Sequence, residues 1–578
     1  MDQLRPSLLV RRRYLVLIVY GSLLLVPFLG AFDFWYPDEP DLAQVCQDMD
    51  RTGDWISPRR NGVIWIDYPP LMYWAGCVSA RVFGGVGEFT LRLPIALAAI
   101  AIALVTCQAA SKWFGARTGL WAGVILLTCL QLTHNAVGYR PDLLFTLGIG
   151  AGLLVYAQGS AEEAKWWPRI FAFAIFGVAM LAKGPLGLLL PGLVLTLWHA
   201  GRKEWTRLLV LAPLSLISLA IFLPWAVAVA AAMGKDNVAH ELYAQNVGRF
   251  FSGSRGHDKP WFYYFVGIWV DILPWSPLLP FAFLWVRAQR LWKDRYVQLL
   301  LWWFGASFVF LTIATTKRQL YLIPAYPALA ILMGWWIASL RNAQGDSPPA
   351  PNPWPARVLS YAGSAVAFGM GTAAFLWGLG GHLVLERLTK GNRLRFETIA
   401  GMQVNIFCFG VIVLLIAFWL RKRRTLDPSA RLAGVAVAVW LGYIAISGLI
   451  LPSFNPLKTY TPQGRWLRAQ IGDSQRVGMY APDTAFGKKG GIGYTIEGLV
   501  AVLESEAAAV AFFEQYPDSL LLIRPPYAEP FLKSKTIDWR ACMIREFGAA
   551  DLYFKTGEDG LPLFLIGRYP YYVCTAPP

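Results

Sequence analysis

The sequence predicts a polytopic α-helical membrane protein with about thirteen transmembrane helices, followed by a soluble α/β domain. Three observations lead to this fold class: long apolar runs recur through residues 1–451, 56% of the 578 residues are hydrophobic, and only 15% are charged. A water-soluble chain does not combine these properties. We therefore predict a transmembrane domain over residues 1–451 and a soluble domain over residues 452–578.

The apolar runs are interpreted as spans joined by short polar connections. The predicted spans are 14–31, 91–110, 118–136, 143–158, 170–182, 185–199, 208–232, 263–286, 297–314, 320–340, 358–380, 404–420 and 432–451. Arg11-Arg12-Arg13 precedes the first span and predicts an inner N-terminus, because Lys and Arg concentrate in cytoplasmic segments. The apolar stretch 69–86 is predicted as a re-entrant or juxtamembrane helix, since an extra span would place later basic clusters outside.

The chain changes character after residue 451. Residues 476–480, 519–523, 551–555 and 561–567 read as strands, and residues 497–516 read as a helix. An odd number of spans places this α/β domain outside. The sequence therefore predicts a multi-pass protein of the bacterial inner membrane whose C-terminal domain faces the periplasm.

Charge and motif patterns exclude two classes of partner. The net charge of +16 arises from clusters between spans, which indicates orientation signals and not a nucleic-acid surface. The chain has no P-loop and no Gly-x-Gly-x-x-Gly after a strand, so we expect no nucleotide cofactor.

Cys542 and Cys574 both fall in the predicted outer domain, where they either form a disulfide or remain two thiols.

Unusual polar residues collect at the predicted outer ends of spans. They are Asp38, Glu39, Arg140, Asp142, Lys183, Arg249, Lys317 and Arg318. Each alone could be a solvated loop end or a cation that extends to the lipid headgroups. Outer loops are normally poor in Lys and Arg, however, so the group as a whole predicts a bound anion such as a lipid phosphate or pyrophosphate.

Several segments carry a family resemblance. Pro37-Asp-Glu39, Gly53-Asp-Trp55 and Asp67-Tyr-Pro-Pro-Leu-Met-Tyr-Trp74 resemble the first periplasmic loop of the aminoarabinose transferase (ArnT) family. Asn246-Val-Gly-Arg-Phe250 and Thr316-Lys-Arg-Gln-Leu-Tyr321 are similar to later outer loops of the same family, the second to its phosphate-binding loop. The family belongs to the C-type glycosyltransferases (GT-C fold), as do the protein mannosyltransferases, and all of these use polyprenyl-phosphate sugars. The likeness covers residues 30 to about 340.

The resemblance implies transfer of a sugar from undecaprenyl phosphate to lipid A or another lipopolysaccharide component at the periplasmic face. Asp38 would be the base or would orient the acceptor, and Asp142 would orient the acceptor or a metal. The implied substrate-binding residues are Glu39, Tyr68, Arg140, Lys183, Arg249, Lys317, Arg318 and Tyr321. Asp67 and His257 would hold a divalent ion, because carboxylate and imidazole are suitable ligand types. We expect a monomer in the bilayer.

Two departures from the family pattern leave the sugar open. Members commonly have Asp-Glu-Thr-Arg where this chain has Asp38-Glu-Pro-Asp41, and Glu-Lys-Pro-Pro where it has Asp67-Tyr-Pro-Pro70. Tyr68 therefore replaces a donor-phosphate lysine, and other cations must supply its charge.

Two alternative functions remain. One is a protein O-glycosyltransferase of the mannosyltransferase type, and the other is a transporter of a polyprenyl lipid or a sugar. A transporter should carry ionisable residues near span midplanes and show repeated halves. Here the charges lie at span ends and no internal repeat is found, which favours an enzyme.

Overall fold

The structure is a computed structural model. It describes residues 8–35, 38–161, 166–233, 259–340, 351–381, 403–422, 427–455, 459, 461, 465, 468, 477–480, 500–516, 520–523, 543–556 and 562–575.

Helices dominate the chain up to Ser453. They are α1 (Leu8–Arg11), α2 (Arg13–Leu25), α3 (Glu39–Thr52), α4 (Leu71–Phe83), α5 (Glu88–Phe114), α6 (Ala116–Thr128), α7 (Leu130–Ala136), α8 (Asp142–Ala161), α9 (Trp167–Lys183), α10 (Leu186–Gly201), α11 (Trp205–Met233), α12 (Tyr263–Asp271), α13 (Leu279–Ala288), α14 (Arg295–Ile313), α15 (Tyr326–Ser339), α16 (Trp354–Leu376), α17 (Gln403–Lys422), α18 (Pro428–Ala445) and α19 (Leu451–Ser453). A short hairpin of β1 (Arg59–Arg60) and β2 (Val63–Ile64) lies in the first long loop.

The helices agree with the predicted spans in position. Within the described ranges, eight helices are long and apolar enough to cross a membrane, and the number rises to ten if each of two bent pairs counts as one span. The bent pairs are α6 with α7, at 64°, and the segment from α12 to α13, at 112°. Arg13–Phe28 and Leu186–Gly201 are apolar but shorter. Every predicted range falls on a helix, whereas the count of thirteen and the inner N-terminus stay predictions.

Burial separates central from peripheral helices. In Gln319–Ser339, 89% of the most apolar window is buried inside the protein, but in Trp354–Leu379 only 6% is buried. Close approach in the centre depends on small residues: a Cβ on Gly334 of α15 would lie 2.8 Å from the backbone nitrogen of Ala122 in α6. Small residues let helix backbones approach in membranes, where no hydrophobic force acts between spans. Among the described spans, Gln319–Ser339 is therefore the most deeply buried in the bundle, and Arg318 directly precedes it.

The part of the chain after residue 476 contains a five-stranded mixed sheet. Its strands are β3 (Val477–Tyr480), β4 (Val500–Leu503), β5 (Leu520–Ile523), β6 (Met543–Thr556) and β7 (Pro562–Thr575), in the order β4-β3-β5-β7-β6. β3 pairs in parallel with β4 and β5, whereas β7 pairs antiparallel with β5 and β6. Helix α20 (Glu506–Gln515) follows β4.

Two sequence-based expectations for this region have different outcomes. The helix predicted over 497–516 was wrong at its start, because Val500–Leu503 forms a strand and the helix begins at Glu506. The apolar, β-branched Val-Ala-Val-Leu run explains the difference. Cys542 lies outside the described residues, so its pairing with Cys574 stays a prediction, as does a separate soluble domain outside the membrane.

Helix α3 lies in the first long loop, which is predicted to face outward. Asp38 precedes the helix, and Glu39 and Asp41 occupy its first turn, where negative charge interacts favourably with the helix dipole. Gly53 ends the helix in the left-handed conformation, at φ 72°, and its N–H donates to the carbonyl of Met49 at 3.0 Å. Only glycine adopts this conformation without strain, so the helix stops at a defined residue.

The loop after α3 is fastened to the bundle by tryptophan side chains. The indole of Trp74 in α4 donates to the carbonyl of Trp55 at 2.6 Å. The indole of Trp225 in α11 donates to the carbonyl of Ile56 at 3.0 Å. These bonds satisfy polar backbone groups and hold the loop against two helices.

Asn455 joins the first long loop to the end of the apolar helices. Its Oδ1 accepts from the backbone N–H of Asp33 and from the indole of Trp35, both at 3.1 Å. The ring of Phe454 packs edge-on against Trp35, with 6.3 Å between the centroids. Two segments that are more than 400 residues apart in the sequence are therefore in direct contact.

Candidate active site

Asp38 forms the centre of a charged trio. Its Oδ2 is 3.0 Å from an Nη of Arg140 and 3.1 Å from an Nη of Arg318. Asp38 follows the first predicted span, Arg140 follows α7 and Arg318 follows α14, so three separate connections meet here. The side chains of Asp38, Arg140 and Arg318 are 32%, 28% and 25% exposed, so the trio is open to a ligand.

The Arg318 guanidinium is held in place and kept charged. The Tyr264 hydroxyl donates to its backbone carbonyl at 3.0 Å, which fixes the turn after α14. Burial tends to lower the pKa of Arg318, but the nearby Asp38 carboxylate raises that pKa well above its ordinary value. The side chain therefore remains a cation at any physiological pH.

Asp142 and Lys183 form a second ion pair. Asp142 is the first residue of α8 and Lys183 the last residue of α9, and the Lys183 ammonium contacts Asp142 Oδ1. Asp142 is buried, and the ammonium lies 4.4 Å from the ring centroid of Tyr321. Gly184 adopts φ 73°, which ends α9 directly after the lysine. The two predicted spans 170–182 and 185–199 are therefore separate helices in the structure.

Tyr68 lies near both the Asp38 trio and the Asp142–Lys183 pair. Burial raises the pKa of its phenol well above the ordinary value, and the charges of Asp67, Asp142 and Asp38 raise it further, as does neighbouring Tyr321. Tyr68 is therefore close enough to both ion-paired groups to experience their charge. Its hydroxyl keeps its proton at neutral pH and can donate a hydrogen bond to an anionic oxygen.

Glu39 lies in a network of hydrogen bonds inside the protein, and its predicted contact with substrate stays a prediction. Its two oxygens accept from Arg92 of α5, at 3.0 Å from Nε and 2.9 Å from Nη2, and both side chains are buried. The backbone N–H groups of Tyr139 and Trp35 also donate to it, at 2.7 and 2.9 Å. This geometry favours a role in which Glu39 positions Asp38.

Arg92 was missed as a functional residue by sequence reasoning. It lies in an apolar run and donates to backbone carbonyls of Leu29, Phe32 and Asp33 in addition to Glu39. An arginine at membrane depth normally has a carboxylate partner, which is the signal that could have revealed it.

Lys317 is oriented differently from its neighbour Arg318. Its ammonium is buried and donates to the backbone carbonyls of Ala314 and, at 3.2 Å, Lys259. We therefore expect Arg318, together with Arg140 and Lys183, to provide the positive charge that faces a phosphate.

The predicted metal ligands are not brought together by the described structure. Asp67 lies beside Tyr68, whereas His257 lies outside the described residues, as does Arg249. Where the chain is described, no three His, Cys, Asp or Glu side chains are grouped to hold a metal ion. The metal site at Asp67 and His257 stays a prediction.

We predict that Lys183→Ala lowers sugar transfer by roughly 10²–10³-fold, the range found when one electrostatic donor is removed from a catalytic site. Asp142 would keep its carboxylate in a buried position without the ammonium, and the site would lose one cation. Steady-state kinetics of the purified protein measure the effect. Lys112→Ala is the matched control, because Lys112 is exposed and bonds to Gln158 at the end of α5. Equal activity of Lys183→Ala and Lys112→Ala would contradict the assignment.

Comparison with known protein sequences gives a consistent picture. The family model described as dolichyl-phosphate-mannose-protein mannosyltransferase matches residues 67–227. The chain is 26% identical over 510 residues to the undecaprenyl phosphate-alpha-4-amino-4-deoxy-L-arabinose arabinosyl transferase of Edwardsiella ictaluri, and the match covers 86% of each chain. It is 31% identical over 345 residues to the protein of the same name from Pseudomonas paraeruginosa, which covers 58% of this chain and 60% of the relative.

Comparison with solved structures concerns the fold. The chain is similar to ArnT from Cupriavidus metallidurans bound to undecaprenyl phosphate, with a TM-score of 0.72 and 19% identity over 98% of this chain and 99% of the relative. It is also similar to the oligosaccharyltransferase of Archaeoglobus fulgidus, with a TM-score of 0.50 and 12% identity over 89% of this chain and 69% of the relative. The predicted resemblance to the ArnT-like membrane glycosyltransferases is thereby confirmed.

Proposed function

We propose that this protein, as a monomer, transfers a sugar from an undecaprenyl-phosphate-linked donor to lipid A or another lipopolysaccharide component at the periplasmic face of the bacterial inner membrane. The observation that carries the proposal is the meeting of Asp38, Arg140 and Arg318 near the Asp142–Lys183 pair. The names of the relatives support this donor, and ArnT from Cupriavidus metallidurans has a structure bound to undecaprenyl phosphate.

The charged groups suit departure of a phosphate. An acceptor oxygen attacks the anomeric carbon, the bond from that carbon to the phosphate oxygen breaks, and its electron pair remains on the polyprenyl phosphate. Arg140, Arg318 and Lys183 would stabilise the negative charge that develops there. Fixed cations act strongly in a site of low dielectric constant, so this electrostatic effect is the main source of rate enhancement that we expect.

The role of Asp38 depends on the acceptor. A phosphate acceptor is already an anion and transfers no proton, so Asp38 would then position the two guanidinium groups. A hydroxyl acceptor must lose its proton, and Asp38 is the carboxylate available to accept it. In both cases Asp38, paired with Arg140 and Arg318, would lie beside the leaving phosphate.

A second candidate is a protein O-glycosyltransferase with the same donor. It is favoured by the match of residues 67–227 to a family described by protein mannosyl transfer. The acceptor would then be a side-chain hydroxyl, and Asp38 would act as the base.

Mass spectrometry of cells with and without the gene tests both candidates. We expect lipid A from wild-type cells to carry an additional sugar mass that is absent from the deletion strain and is not restored by an Asp38→Asn copy. A mass difference confined to envelope proteins would support the second candidate. If lipid A, the rest of the lipopolysaccharide and the envelope proteins are all unchanged, the proposed function is wrong.

A further inference from the structure

Two cysteine side chains meet between helices α3 and α4. Cys46 lies in the middle of α3 and Cys77 in the middle of α4, and both are fully buried. The Cys77 thiol donates to the backbone carbonyl of Cys46 at 3.7 Å, and the Cys46 thiol donates to the carbonyl of Tyr73 at 3.9 Å. Burial raises the pKa of the Cys46 thiol, and a hydrogen bond with the Cys77 side chain raises it further. The two thiols are therefore within hydrogen-bonding distance of each other.

The two helices run side by side in the same direction. Asp50 lies one turn after Cys46 and pairs with Arg81, which lies one turn after Cys77, at 2.9 Å. The residues of both pairs are 31 positions apart, so the helices are parallel and keep a constant register over this turn. A bond between Cys46 and Cys77 therefore joins positions that already face each other.

The surroundings of the two thiols favour oxidation over metal binding. Structural sites for zinc and iron–sulfur clusters use four ligands, mostly thiolates and imidazoles. Within the part of the chain that the structure describes, no third His, Cys, Asp or Glu joins the pair to hold a metal ion. The nearest polar side chain is Tyr139, whose hydroxyl lies 3.0 Å from Cys46 Sγ. A metal ligand or a nucleophile must be a thiolate, and the raised pKa keeps Cys46 protonated once it is buried.

We propose that Cys46 and Cys77 form a disulfide that fixes α3 to α4, an inference that rests on the periplasmic orientation in the proposed function. Both cysteines are thiols in the structure, and the periplasm is an oxidising compartment in which neighbouring thiols pair. Because the two side chains are inaccessible in the folded protein, oxidation takes place before α3 packs against α4.

The oxidant is the disulfide of a thiol–disulfide exchange protein. One of the two cysteines, as a thiolate, attacks a sulfur of that disulfide and displaces its first thiolate, which leaves a mixed disulfide. The other cysteine attacks the mixed disulfide and displaces the second thiolate. The chain loses two electrons and two protons, and the oxidant gains both and leaves as a dithiol.

The crosslink acts on the candidate site through both helices. Asp38 directly precedes α3, and Tyr68 lies three residues before α4. Cys46 follows Asp38 by eight residues, and Cys77 follows Tyr68 by nine. Because the helices are parallel, the two site residues lie beyond the same ends of the crosslinked pair. The disulfide therefore limits the movement of Asp38 relative to Tyr68.

Peptide mapping of the full-length protein tests the proposal. Cells are quenched in acid before lysis, so that thiols do not react during purification, and the denatured protein is alkylated without reductant and digested. We expect a fragment containing Cys46 linked to a fragment containing Cys77, and reduction should separate them. Cys107 is the matched control, because it is equally buried but lies in α5 and should be alkylated completely. Complete alkylation of Cys46 and Cys77 without reductant, or a link from either to a different cysteine, would overturn the proposal.

Thermal unfolding in detergent distinguishes a disulfide from two packed thiols. Reductant should lower the unfolding temperature of the wild type by a few degrees, because opening the crosslink gives the denatured chain more freedom. The double variant Cys46→Ala, Cys77→Ala should lose this response, whereas Cys107→Ala should keep it. Equal shifts on reduction in the wild type and the double variant would contradict the proposal.

The peptide map does not depend on sugar transfer, so the two proposals can fail separately. If the linked fragment is found but lipid A, the rest of the lipopolysaccharide and the envelope proteins are unchanged in the deletion strain, the proposed function fails and the disulfide is supported. If sugar is transferred but both cysteines are alkylated, the disulfide alone is wrong.

Discussion

Asp38→Asn is expected to abolish sugar transfer in a protein that still folds. The substitution keeps the shape of the side chain but removes the charge that pairs with Arg140 and Arg318. It also removes the only group in the trio that could accept a proton. Loss of positioned acid–base or electrostatic catalysis costs about 10²–10⁴-fold in rate. A transfer assay on the purified variant measures this loss, and thermal unfolding in detergent checks the fold.

Asp54→Asn provides a control from the same loop. Asp54 Oδ1 accepts from the backbone N–H groups of Ile56 and Ser57, and an asparagine oxygen can accept the same bonds. We expect near-normal transfer from Asp54→Asn. If Asp38→Asn is also near-normal, the catalytic assignment of Asp38 is wrong.

Arg92→Leu is expected to prevent accumulation of folded protein. Glu39 would keep a buried carboxylate without its cation, and three backbone carbonyls would lose their donors. Breaking a buried ion pair on one side typically costs about 3–5 kcal/mol, which is a large part of the stability of most domains. Size-exclusion chromatography and thermal unfolding of the detergent-extracted protein measure the effect.

A double variant distinguishes an unpaired charge from loss of packing. Glu39→Gln in the Arg92→Leu background removes the uncompensated charge, so it should recover part of the lost stability. Arg92→Leu with the unfolding temperature of the wild type would show that the pair does not stabilise the fold.

Properties that depend on local sequence could be predicted well. The positions of the spans follow from apolar length, and every predicted range falls on a helix. The polar ends of those spans gave the site candidates, and the structure brings Asp38, Arg140 and Arg318 together. The sequence placed these charges at the same ends of the spans, and packing of the spans side by side brings the three side chains together.

Properties that depend on side-chain direction could not be predicted. Lys317 and Arg318 are adjacent in sequence, but one ammonium donates to backbone carbonyls and the other side chain reaches Asp38. Glu39 and Asp38 differ in the same way, because Arg92 lies 53 residues from Glu39 and only the packed bundle brings it near. The local backbone conformation and the packing around it decide which of two neighbouring charged side chains points into the site.

The link through Asn455 can form only late in synthesis of the membrane helices. The loop residues that it holds, Asp33 and Trp35, leave the ribosome 422 and 420 residues earlier. At about 5–20 residues per second, the loop waits roughly 20–85 s before its last anchor exists. Throughout membrane insertion, Asp38 therefore belongs to a segment without that anchor. A nascent chain that ends before Asn455 therefore lacks two hydrogen bonds to the segment that precedes Asp38.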